Sequence, residues 1–256
     1  MRNNALAIGF AALLAGLFCG VAGLAQDFQQ AYTLPRDGTI RVRSISGEIT
    51  VLGYDGQTVV VKGFRVGRDR DRVEITDKSA GDRIDVGVRY PEHCNCDASV
   101  NFEVQVPRSV SYNFDKIGSI SGSVVLQNLT GHVSADSTSG NVSITDVSGE
   151  VSAQSVSGNV EVSLKAIKGP ASMKFSSISG NVLVKVPAAL NAYVEMSTLS
   201  GSLKTNFPLE VQERRYGPGR SASGRVGEGA SSISIRTISG RVSLTHDEPS
   251  SQAARR

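Results

Sequence analysis

The chain has 256 residues, with 27 Lys and Arg against 24 Asp and Glu, no Trp and 5% aromatic residues. A charge so near balance gives no reason to expect nucleic acid or an anionic membrane as a partner. The scarcity of rings argues against a groove that stacks sugars on aromatic faces, and the length allows one large domain or two small ones.

The first residues, MRNNALAIGFAALLAGLFCGVAGLAQ, carry one charge at Arg2, an apolar run from Ala5 to Leu17 and a small-residue ending at Gly23-Leu24-Ala25. This is the pattern of a secretory signal peptide over residues 1–25, cleaved after Ala25. The apolar run is short for a membrane span, and Phe18 before Cys19 is bulky for a lipid-attachment signal. The expected mature chain is exported and soluble, in the periplasm, on the cell surface or outside the cell. It carries 26 basic and 24 acidic residues, a net of +2.

Residues 26–116 read as a strand-rich portion. TIRVRSISGEITVLG, QTVVVKGFRV, DRVEITD, DRIDVGVRY and SVNFEVQVP alternate apolar and polar residues, the period of half-buried strands. Turn-forming YDGQ, GRDRD and KSAGD separate them. Between the last two strands lies HCNCD, which holds Cys94 and Cys96, the two cysteines that remain after signal cleavage. Export permits a disulfide between them, although an extended strand would hold their Cα atoms near the outer limit of about 6.8 Å, so a bridge requires a local turn. Free or intermolecular thiols are the second reading. A His93-Cys94-Cys96 metal site is the third, and it lacks a nearby fourth ligand.

Over residues 117–246 a nine-residue repeat takes over, seen most plainly in STSGNVSITDVSGEVSAQSVSGNVEVSL, Ser137 to Leu164. Parity assigns Val156, Gly158, Val160 and Val162 inward and Ser157, Asn159 and Glu161 outward. The same rule sends inward Ile120, Thr138, Ile178, Leu199 and Ile238, each two residues before a repeat glycine. A nine-residue step is odd, so two-residue polar corners must restore the phase. These are Gln127-Asn128, Asp136-Ser137, Thr145-Asp146 and Gln154-Ser155. None supplies the glycine that tight hairpins favour. The last inward position alternates large and small, as Leu126, Ala135, Ile144, Ala153 and Val162. An all-β solenoid, β-helix-like, with two-arc coils of about 18 residues, explains that alternation by stacking alternate units in separate rows. A glycine-rich excursion over 206–230 interrupts the repeat, and a polar tail occupies 247–256.

The opening SISGEITVLGYDGQTVVVKG, the strand VNFEVQVPRSVS, the serial SVSGNVEV units and the closing GEGASSISIRTISGRVSL together resemble the bacterial putative-adhesin family. This is a β-strand-repeat domain of unknown function related to auto-transporter adhesin head domains. The likeness spans roughly residues 39–245. It implies a β-helix-like exported protein and supplies no catalytic residues.

The sequence carries few signatures of catalytic chemistry. GRSASGRV has two glycines at P-loop spacing, but Arg225-Val226 replaces the Lys and Ser/Thr that hold phosphate and magnesium. Neither a G-x-S-x-G elbow nor an S-x-x-K pair occurs. His132 reads as a solvated repeat residue, and Asp69 and Asp71 as a charged turn. No catalytic residue, cofactor or metal site is expected. Outward Ser139, Asn141, Ser143, Ser157 and Asn159 form a polar ladder, either a hydrated face or a hydrogen-bonding surface for a protein or glycan of the envelope. The expected function is a non-catalytic cell-envelope structural or adhesion module. The alternatives are a periplasmic protein-interaction scaffold and a polysaccharide-processing β-helix enzyme, which would need clustered charges where the repeats show scattered Glu150, Glu161 and His132.

Overall fold

The computed structural model describes residues 27–213 and 218–246. The expected signal peptide, 1–25, and the polar tail, 247–256, lie outside these residues. The described chain is all-β, twenty strands in one connected sheet with a single 3-10 turn at Arg70–Arg72. Among the described residues no helix is long and apolar enough to cross a membrane.

Strand pairing resolves into two long ladders. The first runs through β1 (Phe28–Tyr32), β4 (Val59–Val66), β7 (Ser99–Pro107), β3 (Ile49–Tyr54), β9 (Val124–Gln127), the first part of β11 (Val142–Ser155), β12 (Val160–Ala166), β14 (Val182–Val186), β20 (Val242–His246) and β16 (Leu203–Thr205). The second runs through β5 (Glu74–Asp77), β6 (Arg83–Arg89), β2 (Thr39–Ser46), β8 (Tyr112–Ser121), β10 (Thr130–Ser137), the last part of β11, β13 (Ser172–Ser179), β19 (Ser231–Ser239), β15 (Ala192–Ser200), β18 (Arg220–Val226) and β17 (Glu210–Glu213). From β7 to β16 and from β6 to β15 every pairing is parallel; antiparallel strands close both ends of the second ladder and the β7 end of the first. Each solenoid-like coil is a second-ladder strand, a corner and a first-ladder strand.

The period-two pattern places the core between the ladders. Val124 stands beside Val142 and Val142 beside Val160, with Leu126, Ile144 and Val162 aligned in the same way. Ala135 pairs with Ala153 in the opposite ladder. The large and small residues therefore do occupy separate rows, and the small row ends where Phe175 aligns with Ala153. All of these side chains are buried. Such burial contributes roughly 25 cal/mol per Å² of apolar surface removed from water.

Part of the parity assignment is overturned. Val160 and Val162 point inward as expected, but Ile120, Val156, Ile178, Leu199 and Ile238 are exposed, and so is Thr138. Ser137 and Ser155, read as solvent corners, are buried inside strands. The second corner of the coil lies later, over residues 138–141 and 156–159. Thr145-Asp146 and Gln127-Asn128 are true corners, where Asp146 (φ 55°) and Asn128 (φ 56°) take the left-handed conformation that short polar side chains tolerate. The rule of apolar inside failed because the serine hydroxyl has a partner in the interior.

The strand-rich portion and the repeat portion pack as neighbours in the same ladders. Residue 116 falls within β8, and the coil β2–β3 stacks directly on β8–β9. The excursion 206–230 supplies β17 and β18, which pair antiparallel and extend the second ladder from β15.

Candidate interaction edge

Seven coils turn at one edge through the same four-residue corner. These are Ser44-Ile45-Ser46-Gly47, Ser119-Ile120-Ser121-Gly122, Ser137-Thr138-Ser139-Gly140, Ser155-Val156-Ser157-Gly158, Ser177-Ile178-Ser179-Gly180, Thr237-Ile238-Ser239-Gly240 and Thr198-Leu199-Ser200-Gly201. The register aligns them: Ser44 with Ser119, Ser119 with Ser137, Ser137 with Ser155, Ser155 with Ser177, Ser177 with Thr237 and Thr237 with Thr198.

The first hydroxyl of each corner is buried and donates to a carbonyl of the neighbouring coil. Ser119 Oγ donates to Gly47 O (3.0 Å), Ser137 Oγ to Gly122 O (2.9 Å), Ser155 Oγ to Gly140 O (2.9 Å) and Ser177 Oγ to Gly158 O (2.8 Å). Thr237 and Thr198 repeat the bond to Gly180 O (2.9 Å) and Gly240 O (3.1 Å). Each such bond contributes about 1 kcal/mol net. The glycine after it is required by close approach, since a Cβ on Gly158 would overlap Gly140 O and one on Gly180 would overlap Gly158 O. Glycine therefore serves contact between successive coils rather than between facing ladders.

Asparagine seals the far side of the corner. Asn141 Oδ1 accepts from the Asn159 amide (2.9 Å), Asn159 Oδ1 from the Asn181 amide (2.9 Å) and Asn181 Oδ1 from the Arg241 amide (2.9 Å). Ser139, Asn141, Ser157 and Asn159 are exposed and Ser143 is half-buried, so the polar ladder does face outward. Two of its asparagine side-chain oxygens are nonetheless committed to the backbone.

Between the buried hydroxyl and the glycine, Ile45, Ile120, Thr138, Val156, Ile178, Ile238 and Leu199 fall in one file. Its six aliphatic members are 40% to 52% exposed. At a strand spacing of about 4.8 Å the six steps cover roughly 29 Å. The corner backbone is hydrogen-bonded without these side chains, for example Ser139 N to Ile120 O (2.8 Å), Ser157 N to Thr138 O (2.8 Å) and Ser179 N to Val156 O (2.9 Å). β-branched residues suit an extended conformation, but that preference is equally met by threonine. The signal in the sequence was the apolar residue held between two hydroxyls, S-x-S-G, whose central position parity misassigned.

Other sequence candidates lie apart. Glu150 belongs to the second ladder and Glu161 to the first. His132 Nδ1 stands 3.9 Å from Glu150 Oε1 on an exposed face. Cys94 and Cys96 lie outside any strand, with Cα atoms 5.1 Å apart and their sulfurs in contact. A turn at His93 (φ 55°) precedes them, and the Cys94 amide donates to Pro91 O (3.4 Å). Among the described residues no group of three or more His, Cys, Asp or Glu gathers as a metal site.

No curated protein matches the chain. Solved structures do. A putative cell adhesion protein from Clostridium sporogenes is 12% identical over 86% of this chain and 99% of its own, with a TM-score of 0.46. A putative adhesin from Bacteroides fragilis is 10% identical over 86% of this chain and 96% of its own, with a TM-score of 0.34. The ordered SGxV series lies within residues 33–245, which match the family model of Toastrack DUF4097, and the chain belongs to that family.

Proposed function

We propose that the protein is an exported, non-catalytic structural or adhesion module of the cell envelope, built as a two-arc solenoid of about 18-residue coils. The observation that carries this reading is the exposed aliphatic file at the S-x-S-G edge. A contiguous apolar surface that the fold does not need marks a site of association. The dispersed carboxylates, Glu150 and Glu161 on different ladders, support a role without catalysis. A Cys94–Cys96 disulfide, suited to an oxidising compartment, belongs to the same reading.

The test combines cell fractionation with retention of the purified mature chain on isolated cell envelopes. Fractionation should find the mature chain outside the cytoplasm. Wild type should be retained on envelopes, while the triple variant Ile120→Asp, Val156→Asp, Ile178→Asp should be washed away with little change in Tm. Ser143→Lys and Ser157→Lys, on the polar ladder, should leave retention intact. Equal retention of wild type and the triple variant would remove the file from the function.

A further inference from the structure

Beside the aliphatic file, and sharing Ile45 and Ile120 with it, the first coils carry a cleft whose cationic lining the function proposed above does not use. Across β5, β6, β2, β8 and β10 the outward residues Thr76, Gly87, Arg43, Gly118 and Asp136 form one row. The cleft over this row has a volume of about 630 Å³. Four cations line it, Arg43, Lys78, Arg89 and Lys116, against one acid, Asp136. Two of the cations are engaged: Arg43 Nη2 lies 3.1 Å from Asp85 Oδ1, and Arg89 Nη1 lies 3.7 Å from Glu74 Oε2. Lys78 forms no ion pair among the described residues, and the Lys116 charge acts on Asp136 in the same cleft.

The floor of the cleft is open for a reason the fold does not supply. A Cβ on Gly87 would meet only Thr76 Oγ1 at 3.5 Å and Arg43 O at 3.8 Å, ordinary contacts, and Gly87 is not left-handed. Glycine inside a strand costs about 0.5–1 kcal/mol relative to alanine. The chain bears that cost where packing permits a side chain, and the missing side chain deepens the cleft. Gly118 differs, because a Cβ there would stand 2.7 Å from Asp136 Oδ2. Apolar surface borders the cations: Ile45 and Ile120 are exposed, and Val88 and Tyr90 are half-buried.

We propose that this cleft binds an organophosphate, with the phosphate held by Lys78 and Lys116 and the apolar part of the ligand against Ile45, Val88, Tyr90 and Ile120. A carboxylate brings one negative charge. A phosphate monoester brings about −1.5 to −2 near neutral pH, which suits a lining of four cations against one carboxylate whose charge Lys116 partly offsets. Arg43 and Arg89 add charge-assisted hydrogen bonds to its remaining oxygens.

Calorimetric titration of the purified mature chain with octyl phosphate, octanoate and inorganic phosphate tests the site. Octyl phosphate should saturate one site at least about tenfold more tightly than either of the others. The Lys78→Glu, Lys116→Glu double variant should weaken it by about tenfold or more. Gly87→Leu, which fills the floor, should do the same while keeping the wild-type Tm. Vesicles of phosphatidylcholine with and without phosphatidic acid separate two sources of the ligand. Retention on phosphatidic acid vesicles alone, lost in both variants, assigns a lipid headgroup; octyl phosphate binding without vesicle retention assigns a soluble organophosphate. Absence of saturation by octyl phosphate, or a titration unchanged in both variants, overturns the proposal.

Discussion

The middle coils and the end coils solve different problems. From Tyr112 to Ala166 space follows sequence: β8–β9, β10 with the start of β11, and the rest of β11 with β12 stack in chain order. At the ends it does not. The coil β2–β3 lies between β6–β7 and β8–β9, and β19–β20 lies between β13–β14 and β15–β16. The N-terminal end also concentrates ion pairs, including Arg41–Asp115, Arg65–Asp27, Arg68–Asp97, Arg83–Asp85 and Arg108–Asp55. Each exposed pair is worth little alone, but together they link segments up to 74 residues apart. A repeat can stabilise its own middle by nearest-neighbour contact. It cannot terminate itself, because an unpaired edge invites further strands; irregular antiparallel strands do that at three of the four ladder ends, and the three-residue β16 ends the fourth.

The largest expected difference between the regions comes from a buried charge. Val160→Asp puts a carboxylate in an apolar row with a coil on each side and should cost several kcal/mol in chemical or thermal unfolding. Leu203→Asp, half-buried on the last strand of its ladder, should cost about 1 kcal/mol. Val156→Asp should stay within about 0.5 kcal/mol because its side chain faces water. Equal losses at Val160 and Leu203 would erase the distinction between middle and end.

A smaller contrast separates the corner glycines. Gly158→Ala forces a methyl group against Gly140 O while the Gly180 corner lies next to Gly158 on the other side, so the strain should reach about 2–3 kcal/mol. Gly201→Ala meets Gly240 O, but no further coil follows Gly201 and the last corner can move outward. The loss there should be about 1 kcal/mol, read from urea unfolding midpoints. A larger loss at Gly201 would mean that the end corner is the more rigid of the two.

How much of this was legible depended on where each contact lies. The alternation of Leu126, Ala135, Ile144, Ala153 and Val162 disclosed two rows because those partners recur at a fixed spacing. The placement of β19 between β13 and β15 has no such spacing: Met173 aligns with Ile233, sixty residues on, and Val194 aligns with the same residue from the other side. At the corner the pattern itself misled. Ser155 is interior because Gly140 O receives its hydroxyl, a bond that depends on the neighbouring coil. The exposed file was hidden by the same cause, since Val156 turns outward as Ser155 turns in. Ser139, Asn141, Ser157 and Asn159 are exposed but sit in the corner, and the asparagine bonds to the next coil were not visible from outward parity.

The smallest effect concerns pH. Burial raises the pKa of Asp136, and the Lys116 charge opposes the shift in part. A carboxyl whose folded pKa lies above its unfolded value favours the folded state when protonated, and that stabilisation is lost as pH rises through the folded pKa. Asp136→Asn should therefore raise Tm modestly at pH 7, and the gain should shrink toward zero below the ordinary carboxylate value. A gain independent of pH would place its origin elsewhere than in this ionisation.

The interposed coil β19–β20 also sets an order in time. During synthesis β15 and β16 emerge before β19 and β20, yet their native parallel partners are the later strands. Until the C-terminal residues are released, β13 and β14 lack their partner on that side, and β15 can pair only with β18. Contacts of such sequence separation form slowly, because loop closure precedes the gain from pairing. The nascent chain thus holds an open parallel edge until β19 and β20 appear, the interval in which unpaired strands are most prone to aggregate. A chain stopped before Ser231 would never leave that interval.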